Sequence, residues 1–414
     1  MFSPAAQALD LSQQVGWGQL CRTPLDPGIW ACLDPAGHQN HAPQLCWVTP
    51  SLLACVWMAG GREGTAGMGI HLSLLAQGAD AWSKPQHISQ DSERSEQNPL
   101  LFVSGDRLHL IHTAQRSRSS EEPLLEAGST FSMQWTARLR HQSIALADLV
   151  AGAGPEGWTT ASDLLEEPAF CRHPPHRRAD GRWLLPIYRS LEDGGAFGHD
   201  HSEVLLLEPD GVPAAKPRLM PVPESTGRVH GSIVVSADGE RLLQFFRSRL
   251  ADRIYCSSAD ANGEQWGEPK PVFLPNNNSS IQALRLVSGR LAMIYNRFCF
   301  EPDSVDPLSW GEANWPRTRW PLSVALSEDD GLNWPWIRDL DTGFGFCGTA
   351  NWSQNGQLAY PSLLEGLPGE LHIAYSWADR VAIRYVCWHC IFAWPLLATP
   401  AAMVPRVSGL RART

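Results

Sequence analysis

The sequence predicts an all-β protein, a six-bladed β-propeller of four-stranded antiparallel blades. Three observations predict it. Composition is rich in turn formers and poor in charge: 35 Gly, 32 Pro and 18 Trp stand among 414 residues, of which only 18% are charged. Many short strands need many turns, and Gly and Pro supply them. A hairpin-and-strand pattern recurs six times along the chain, and a loop-forming pattern recurs in step with it. The hydrophobic content, 43%, is enough for a full core, and a propeller holds a chain of this length in one domain.

The main repeat is a turn, a polar residue and an alternating apolar strand. In chain order it reads PSLLACVWMAG from Pro50, GDRLHLIHTA from Gly105, DGRWLLPIYRS from Asp180, DGERLLQFFRSR from Asp238, SGRLAMIYNR from Ser288 and PGELHIAYSW from Pro368. Period-two alternation with aromatic and β-branched residues is the strand signal, and D-G or S-G the hairpin signal. Each copy follows another short strand: HAPQLCWV from His41, QNPLLFV from Gln97, HGSIVV from His230, SIQALRLV from Ser280 and YPSLLEG from Tyr360. The third unit is less regular, with CRHPPHRR from Cys171 in that place. A unit spacing of roughly 50 to 80 residues suits four-stranded blades with variable loops. On this reading residues 1–39 are a lead-in, 40–392 the propeller and 393–414 a C-terminal tail.

The second repeat is S-x-D-x-G-x-x-W. Ser327, Asp329, Gly331 and Trp334 fit it. Ser258, Asp260, Gly263 and Trp266 fit with one inserted residue, and Ser73, Gly78 and Trp82 form a copy without the aspartate. The aspartate accepts backbone N–H bonds, the glycine takes a positive-φ corner and the tryptophan plugs between strands. These boxes are expected in outer hairpins, away from any catalytic centre.

Bulk properties exclude several classes. The formal net charge is −10 with no long basic run, so no nucleic-acid partner is expected. Ten cysteines are spread along the chain, and Cys46, Cys55 and Cys256 sit in apolar runs as small buried hydrophobes. Cys387 and Cys390 form a C-x-x-C, but neither a second ligand pair nor a thioredoxin-like context stands beside it in sequence; no metal is expected. Val386–Val404 lacks charge but contains His389, Pro395 and Pro400, which favours a last strand and an apolar tail over a membrane span. MFSPAAQALDLSQQ has neither the basic nor the apolar region of a secretory signal, so a cytoplasmic location is expected.

In a propeller the first strand of each blade lines the central channel, and residues at one end of these strands form a ring. Here the ring reads His41, Gln97-Asn98, Arg172-His173, His230, Asn278 to Gln282, and Tyr360. A polar residue at one strand head is ordinarily just exposed. Polar heads in several blades together point to a binding site. Trp310, Trp315 and Trp320 lie in a Pro-rich insertion of the fifth unit and either wall the pocket or pack the insertion down.

The boxes resemble the Asp-box (BNR) repeats of the sialidase superfamily. His41 to Trp388 looks like the bacterial proteins usually called predicted neuraminidases, above all in LPNNNSSIQALRL from Leu274 and YPSLL from Tyr360. The resemblance implies three arginines that hold a sugar carboxylate, an aspartate acid/base, and a tyrosine nucleophile activated by a glutamate. An arginine fork suits a carboxylate, and a neutral tyrosine avoids repulsion by an anionic sugar. Arg247 matches the second arginine, Arg319 the third (with Arg317 as alternative), and Tyr360 the nucleophile. Three positions depart from the pattern. His41-Ala42-Pro43 stands where the family has R-I-P, His230 stands at the glutamate, and Glu63 is the carboxylate nearest the acid/base position. Glu203 is a candidate second carboxylate, and Asn98 either bonds a sugar hydroxyl or caps a turn.

The resulting expectation is a sialidase-like exo-glycosidase that removes a terminal acidic sugar, sialic acid or a uronic acid-like residue, from a glycan. Tyr360, His230 and Glu63 would be catalytic; Arg247, Arg319, His41, Asn98 and Glu203 would bind substrate. No cofactor is implied. Two alternatives stay open: a polysaccharide lyase using tyrosine and histidine, motivated by the two histidine replacements, and a glycan-binding propeller without catalysis. A glycan partner would also suit an exported protein.

Overall fold

The computed structural model describes residues 16–22, 28–89, 91–117, 132–190, 199–299, 309–310, 313–316, 318–343 and 357–388. Cys390 and the tail 393–414 lie outside the described residues, as does most of the apolar stretch from Val386. No helix among the described residues is long and apolar enough to cross a membrane.

Each repeat unit folds as one blade. Blade 1 comprises Gln39–Thr49, Leu52–Gly60, Gly69–Ala76 and Gln86–Ser89, each antiparallel to the next. Blade 2 comprises Arg94–Ser104, Arg107–Arg116, Arg138–Ala145 and Ser162–Asp163. In blade 3 the inner strand is broken into Phe170–Cys171 and His176–Arg177, both paired with Trp183–Arg189, which is followed by His201–Leu207 and Arg218–Pro221. The prolines of CRHPPHRR cannot donate to a ladder, which explains the break. Blade 4 is Arg228–Val235, Arg241–Ser248, Arg253–Asp260 and Lys270–Pro275. Blade 5 is Gln282–Arg285, Leu291–Asn296, Leu322–Ser327 and Trp336–Asp341.

Blade 6 closes the ring. Its first three strands are Ala359–Glu365, Leu371–Trp377 and Ala382–Trp388, and its outer strand is Ile29–Cys32, with Cys21–Arg22 beyond it. The segment 1–39, read from sequence as a lead-in, therefore carries blade strands. These strands carry no repeat signal, because Ile29–Cys32 is only four residues long and has no box beside it. The inner strand of blade 6 packs on that of blade 1, and the ring is complete.

The core lies between blades. Leu371, Ile373 and Tyr375 of blade 6 pack with Ala292, Ile294 and Val324 of blade 5, and Val56, Met58 and Ile70 of blade 1 pack with Leu108 and Leu110 of blade 2. The boxes sit in the outer hairpins as expected. Asp260 accepts the backbone N–H groups of Asn262, Glu264 and Gln265 at 2.8–3.1 Å. Asp329 accepts that of Asn333 at 2.8 Å, and Trp334, 3% exposed, is buried against Phe245 of blade 4.

Candidate active site

The blade heads share a backbone feature that period-two patterning does not show. Ala42, Asn98, His230, Asn278 and Tyr360 head five of the six inner strands with φ of 54°, 50°, 55°, 56° and 52°. At four of them the strand pairing also slips register. A left-handed residue with a side chain costs about 1–2 kcal/mol, and the extra residue of a bulge re-aims its side chain. Gly231 belongs to this device. A Cβ there would collide with the buried Gln244 side chain, so the residue after His230 has no room for a side chain.

Side chains from several blades meet at Tyr360. Its hydroxyl accepts a hydrogen bond from Arg247 Nη1 at 2.8 Å. The guanidinium carbons of Arg172, Arg247 and Arg319 stand 5.5, 5.6 and 5.7 Å from its ring centroid. His41 stacks on the ring at 4.2 Å between centroids, and His230 meets it edge-on at 5.5 Å. Arg247 and Arg319, 72 positions apart in sequence, thus flank one phenol, which retains partial exposure.

Each arginine is fixed differently. Arg172 reaches across from blade 3 and donates to the carbonyls of Pro43 at 3.0 Å and Tyr360 at 2.8 Å, tying blades 1 and 6 together. Arg319 is carried on a segment held by Asn277, whose Nδ2 donates to the Thr318 carbonyl at 2.6 Å. Asn278 Nδ2 holds the Asn314 carbonyl at 2.8 Å, and Asn276 Oδ1 accepts from the backbone of Ser248 and of Asn278. The three asparagines are wholly buried and form a bracket for Arg319. After this bonding, Arg172 Nε, Arg247 Nε, and Arg319 Nε and Nη1 remain buried without a hydrogen-bond partner among the described residues.

The electrostatics follow from this crowding. Burial alone would push the Tyr360 phenol up, but Arg247 and then Arg319 outweigh it and leave the phenol below its ordinary range. Burial brings Arg172 and Arg319 down to about 10, still charged at neutral pH. Burial, reinforced by neighbouring guanidinium groups, holds His41, His173 and His230 well below the usual imidazole range. Both histidines of the candidate site are therefore neutral. His41 does not add positive charge to an anion site as a protonated imidazole would. Its Nδ1 bonds Ser376 Oγ at 2.8 Å, and its Nε2 is buried without a partner among the described residues. His230 Nδ1 bonds Ser280 Oγ at 3.1 Å. No hydrogen bond joins His230 to the Tyr360 hydroxyl, whose partner is Arg247.

Other candidates fall around this centre. Glu63, between the second and third strands of blade 1, forms an ion pair with Arg380 at 2.5 Å, and its charge is felt by Tyr360 and Arg319. Asn98 heads blade 2 at a position equivalent to Tyr360, with its carbonyl accepting from Cys171 Sγ at 3.5 Å. Glu203 stands elsewhere, on the third strand of blade 3, where its carboxylate holds Arg189 at 2.9 Å. The third guanidinium beside Tyr360 comes from Arg172; His41 occupies the blade 1 head. The sequence did show Arg172 at the head of the third unit, but the proline-broken strand hid its equivalence to the others. Arg380, next to Asp379 in the sequence, faces Glu63, while Asp379 Oδ1 accepts the Gln357 backbone N–H. A further pair, Arg249 Nε on the wholly buried Asp200 at 2.6 Å, lies under Tyr188 and Trp315.

Comparisons with known proteins agree with this architecture. The family model described as BNR repeat-like domain matches residues 51–373. No curated protein matches the chain. A Dyadobacter fermentans protein of unknown function superposes with a TM-score of 0.62 at 12% identity, over 86% of this chain and 97% of that one. Trypanosoma rangeli sialidase, in complex with the inhibitor DANA, superposes with a TM-score of 0.60 at 11% identity, over 88% of this chain and 56% of the sialidase. The intramolecular trans-sialidase of Ruminococcus gnavus, in complex with oseltamivir carboxylate, gives 0.58 at 11% identity over 86% and 95% of the two chains. The chain thus spans little more than half of the trypanosomal enzyme, and at these identities the likeness establishes a sialidase-like propeller fold.

Proposed function

The chain belongs to the BNR repeat-like domain family, and from that premise we propose that it is an exo-acting glycosidase for a terminal sugar bearing a carboxylate. One observation carries the reading. Three buried guanidinium groups surround a single partly exposed phenol, and Arg319 keeps two buried donors without partners. Buried cationic donors left unpaired are costly. A carboxylate accepts a two-donor fork and would remove that cost.

On this reading the carboxylate is held by Arg319 with Arg247. Tyr360 Oη attacks the anomeric carbon and the glycosidic C–O bond breaks. The phenolic proton passes to neutral His230, whose ring must first leave its edge contact to reach the hydroxyl now held by Arg247, and Glu63 gives a proton to the leaving oxygen. Water then attacks the anomeric carbon and the bond to Tyr360 Oη breaks; Glu63 takes the proton lost by the water, and His230 returns its proton to the phenolate. Arg247 supports the first step by stabilising the phenolate. Glu63 would have to take up a proton beside Arg380 before it could act as acid. Tyr360→Phe is expected to lose turnover by about a hundredfold or more, as when a covalent nucleophile and its proton transfer are removed, while affinity for the acidic sugar stays within a few-fold. An unchanged rate in the folded variant would remove the nucleophile.

A lyase reading is favoured by one feature, the neutral His230 in edge contact with Tyr360. Such a pair would take the C5 proton of a uronic acid and protonate the leaving oxygen. An unsaturated product absorbing in the ultraviolet would establish that route over hydrolysis.

A further inference from the structure

Cys387, whose C-x-x-C has no companion ligands in the sequence, gains them in space. It lies on the third strand of blade 6, opposite His372 on the second. His372, Cys387 and Glu370 place one nitrogen, one sulfur and one carboxylate oxygen within 4.8 Å of one another. His372 and Cys387 are 5% and 4% exposed. Glu370 ends the hairpin that follows the inner strand, whereas Tyr360 begins that strand. Seven residues, about 20 Å of extended chain, separate the two ends, so the cluster lies on the opposite face of the propeller from the arginines.

We propose that Glu370, His372 and Cys387 bind a borderline-soft divalent cation of the zinc class at the seam where blade 6 closes onto the N-terminal strand.

The arrangement around the three groups supports this. His372 Nδ1 bonds Tyr385 Oη at 2.8 Å. With the proton on Nδ1, that bond leaves the Nε2 lone pair for a metal and fixes the ring, as outer partners of metal-bound histidines do. Nε2 lies 2.6 Å from Glu370 Oε1, yet it is buried and makes no hydrogen bond of proper geometry. Tyr385 also bonds the Cys387 sulfur, so one hydroxyl orients two ligands. Trp47 meets the His372 ring edge-on at 5.1 Å and closes one side. The other side is kept open by Gly366, where a Cβ would strike His372 Nε2. It faces a cleft of about 620 Å³ between blades 6 and 1, which leaves room for a fourth ligand from solvent. Tetrahedral zinc bonds of about 2.0–2.3 Å need ligand atoms about 3.4–3.6 Å apart, so metal binding must spread the His372–Glu370 pair, now 2.6 Å apart, by side-chain rotation.

Binding must release the thiol proton: a divalent cation and the Cys387 thiol give a metal thiolate and one proton, and affinity falls as pH falls. The benefit would be mechanical. Cys387 faces Ile29 across the closing strand pair, so a metal there pins the blade in which the two ends of the described chain meet.

The test uses the full chain, stripped of metal and titrated with cobalt(II) as a spectroscopic stand-in. The expected result is about one equivalent bound with a thiolate charge-transfer band, displaced by zinc. Zinc, but not magnesium, should raise the thermal midpoint. Cys387→Ser should abolish the band, Glu370→Gln should weaken cobalt binding at least about tenfold, and Tyr385→Phe about 10–100-fold as an outer-shell change. A folded protein without the band, a band that survives in Cys387→Ser, or unchanged affinity in Glu370→Gln would overturn the assignment. If Cys387→Ser does not fold, the Glu370→Gln affinity decides.

Discussion

Among the six tyrosines of the chain, Tyr360 alone is shifted down. Tyr188, Tyr255, Tyr295, Tyr375 and Tyr385 are all shifted up, in each case first by burial. The difference at Tyr360 is its two cationic neighbours, Arg247 and Arg319, which favour the phenolate. A spectrophotometric titration should therefore show one tyrosine ionising below about 10, the ordinary phenol value, and the other five later. Tyr360→Phe should remove that early step, and Arg247→Met should move it upward. An early step that survives in Tyr360→Phe would mean that the arginines do not act on this phenol. Tyr360, Arg247 and Arg319 were legible in the sequence because each sits at a fixed place in a repeat or beside a box. Glu203 was not, because alternation says that a strand residue is polar but not which partner it faces. Its strand neighbour Ile187 belongs to the same strand as Arg189, and that arginine takes the carboxylate.

At the scale of single elements, the strand heads matter more than the strands. Alternation and D-G turns gave all six inner hairpins, including the irregular third. They could not give the left-handed heads, since Ala42, Asn98, His230, Asn278 and Tyr360 share a conformation and no residue type. Nor could they show that Asn276-Asn277-Asn278 is a buried bracket. Asn277 makes the clearest test of this. Asn277→Ala removes the bond to Thr318 and the one accepted from Ser279. It should cost about 1–3 kcal/mol of stability, as expected when buried polar groups lose their partners. It should also raise KM for an acidic sugar more than it lowers kcat, because Arg319 loses its support. A variant that loses stability with KM unchanged would reduce the bracket to a purely structural role.

For the whole molecule, the ring closes by pairing Ile29–Cys32 with Ala382–Trp388, a contact between distant parts of the chain that no local pattern could announce. The closed ring also buries histidines that belong to different blades. His41, His173 and His230 have folded-state pKa values well below the unfolded value, with burial as the first cause. The sign is fixed by linkage: the unfolded chain binds more protons, so stability is full above about pH 6.5 and falls as pH drops below it. The thermal midpoint should decline from about pH 6.5 downward, and His41→Gln should flatten part of that slope. A slope unchanged by the substitution would show that His41 is not held neutral. The arginines bear on the central claim, that this ring collects cationic donors for a sugar carboxylate and a phenol for its anomeric carbon. Fluorophore release from matched sialic acid, uronic acid and neutral-sugar glycosides tests it most directly. The account predicts cleavage of at least one acidic-sugar glycoside, no cleavage of the neutral ones, and loss of the activity in a folded Arg319→Ala protein. Cleavage of neutral glycosides alone, or of none of the panel, would contradict it.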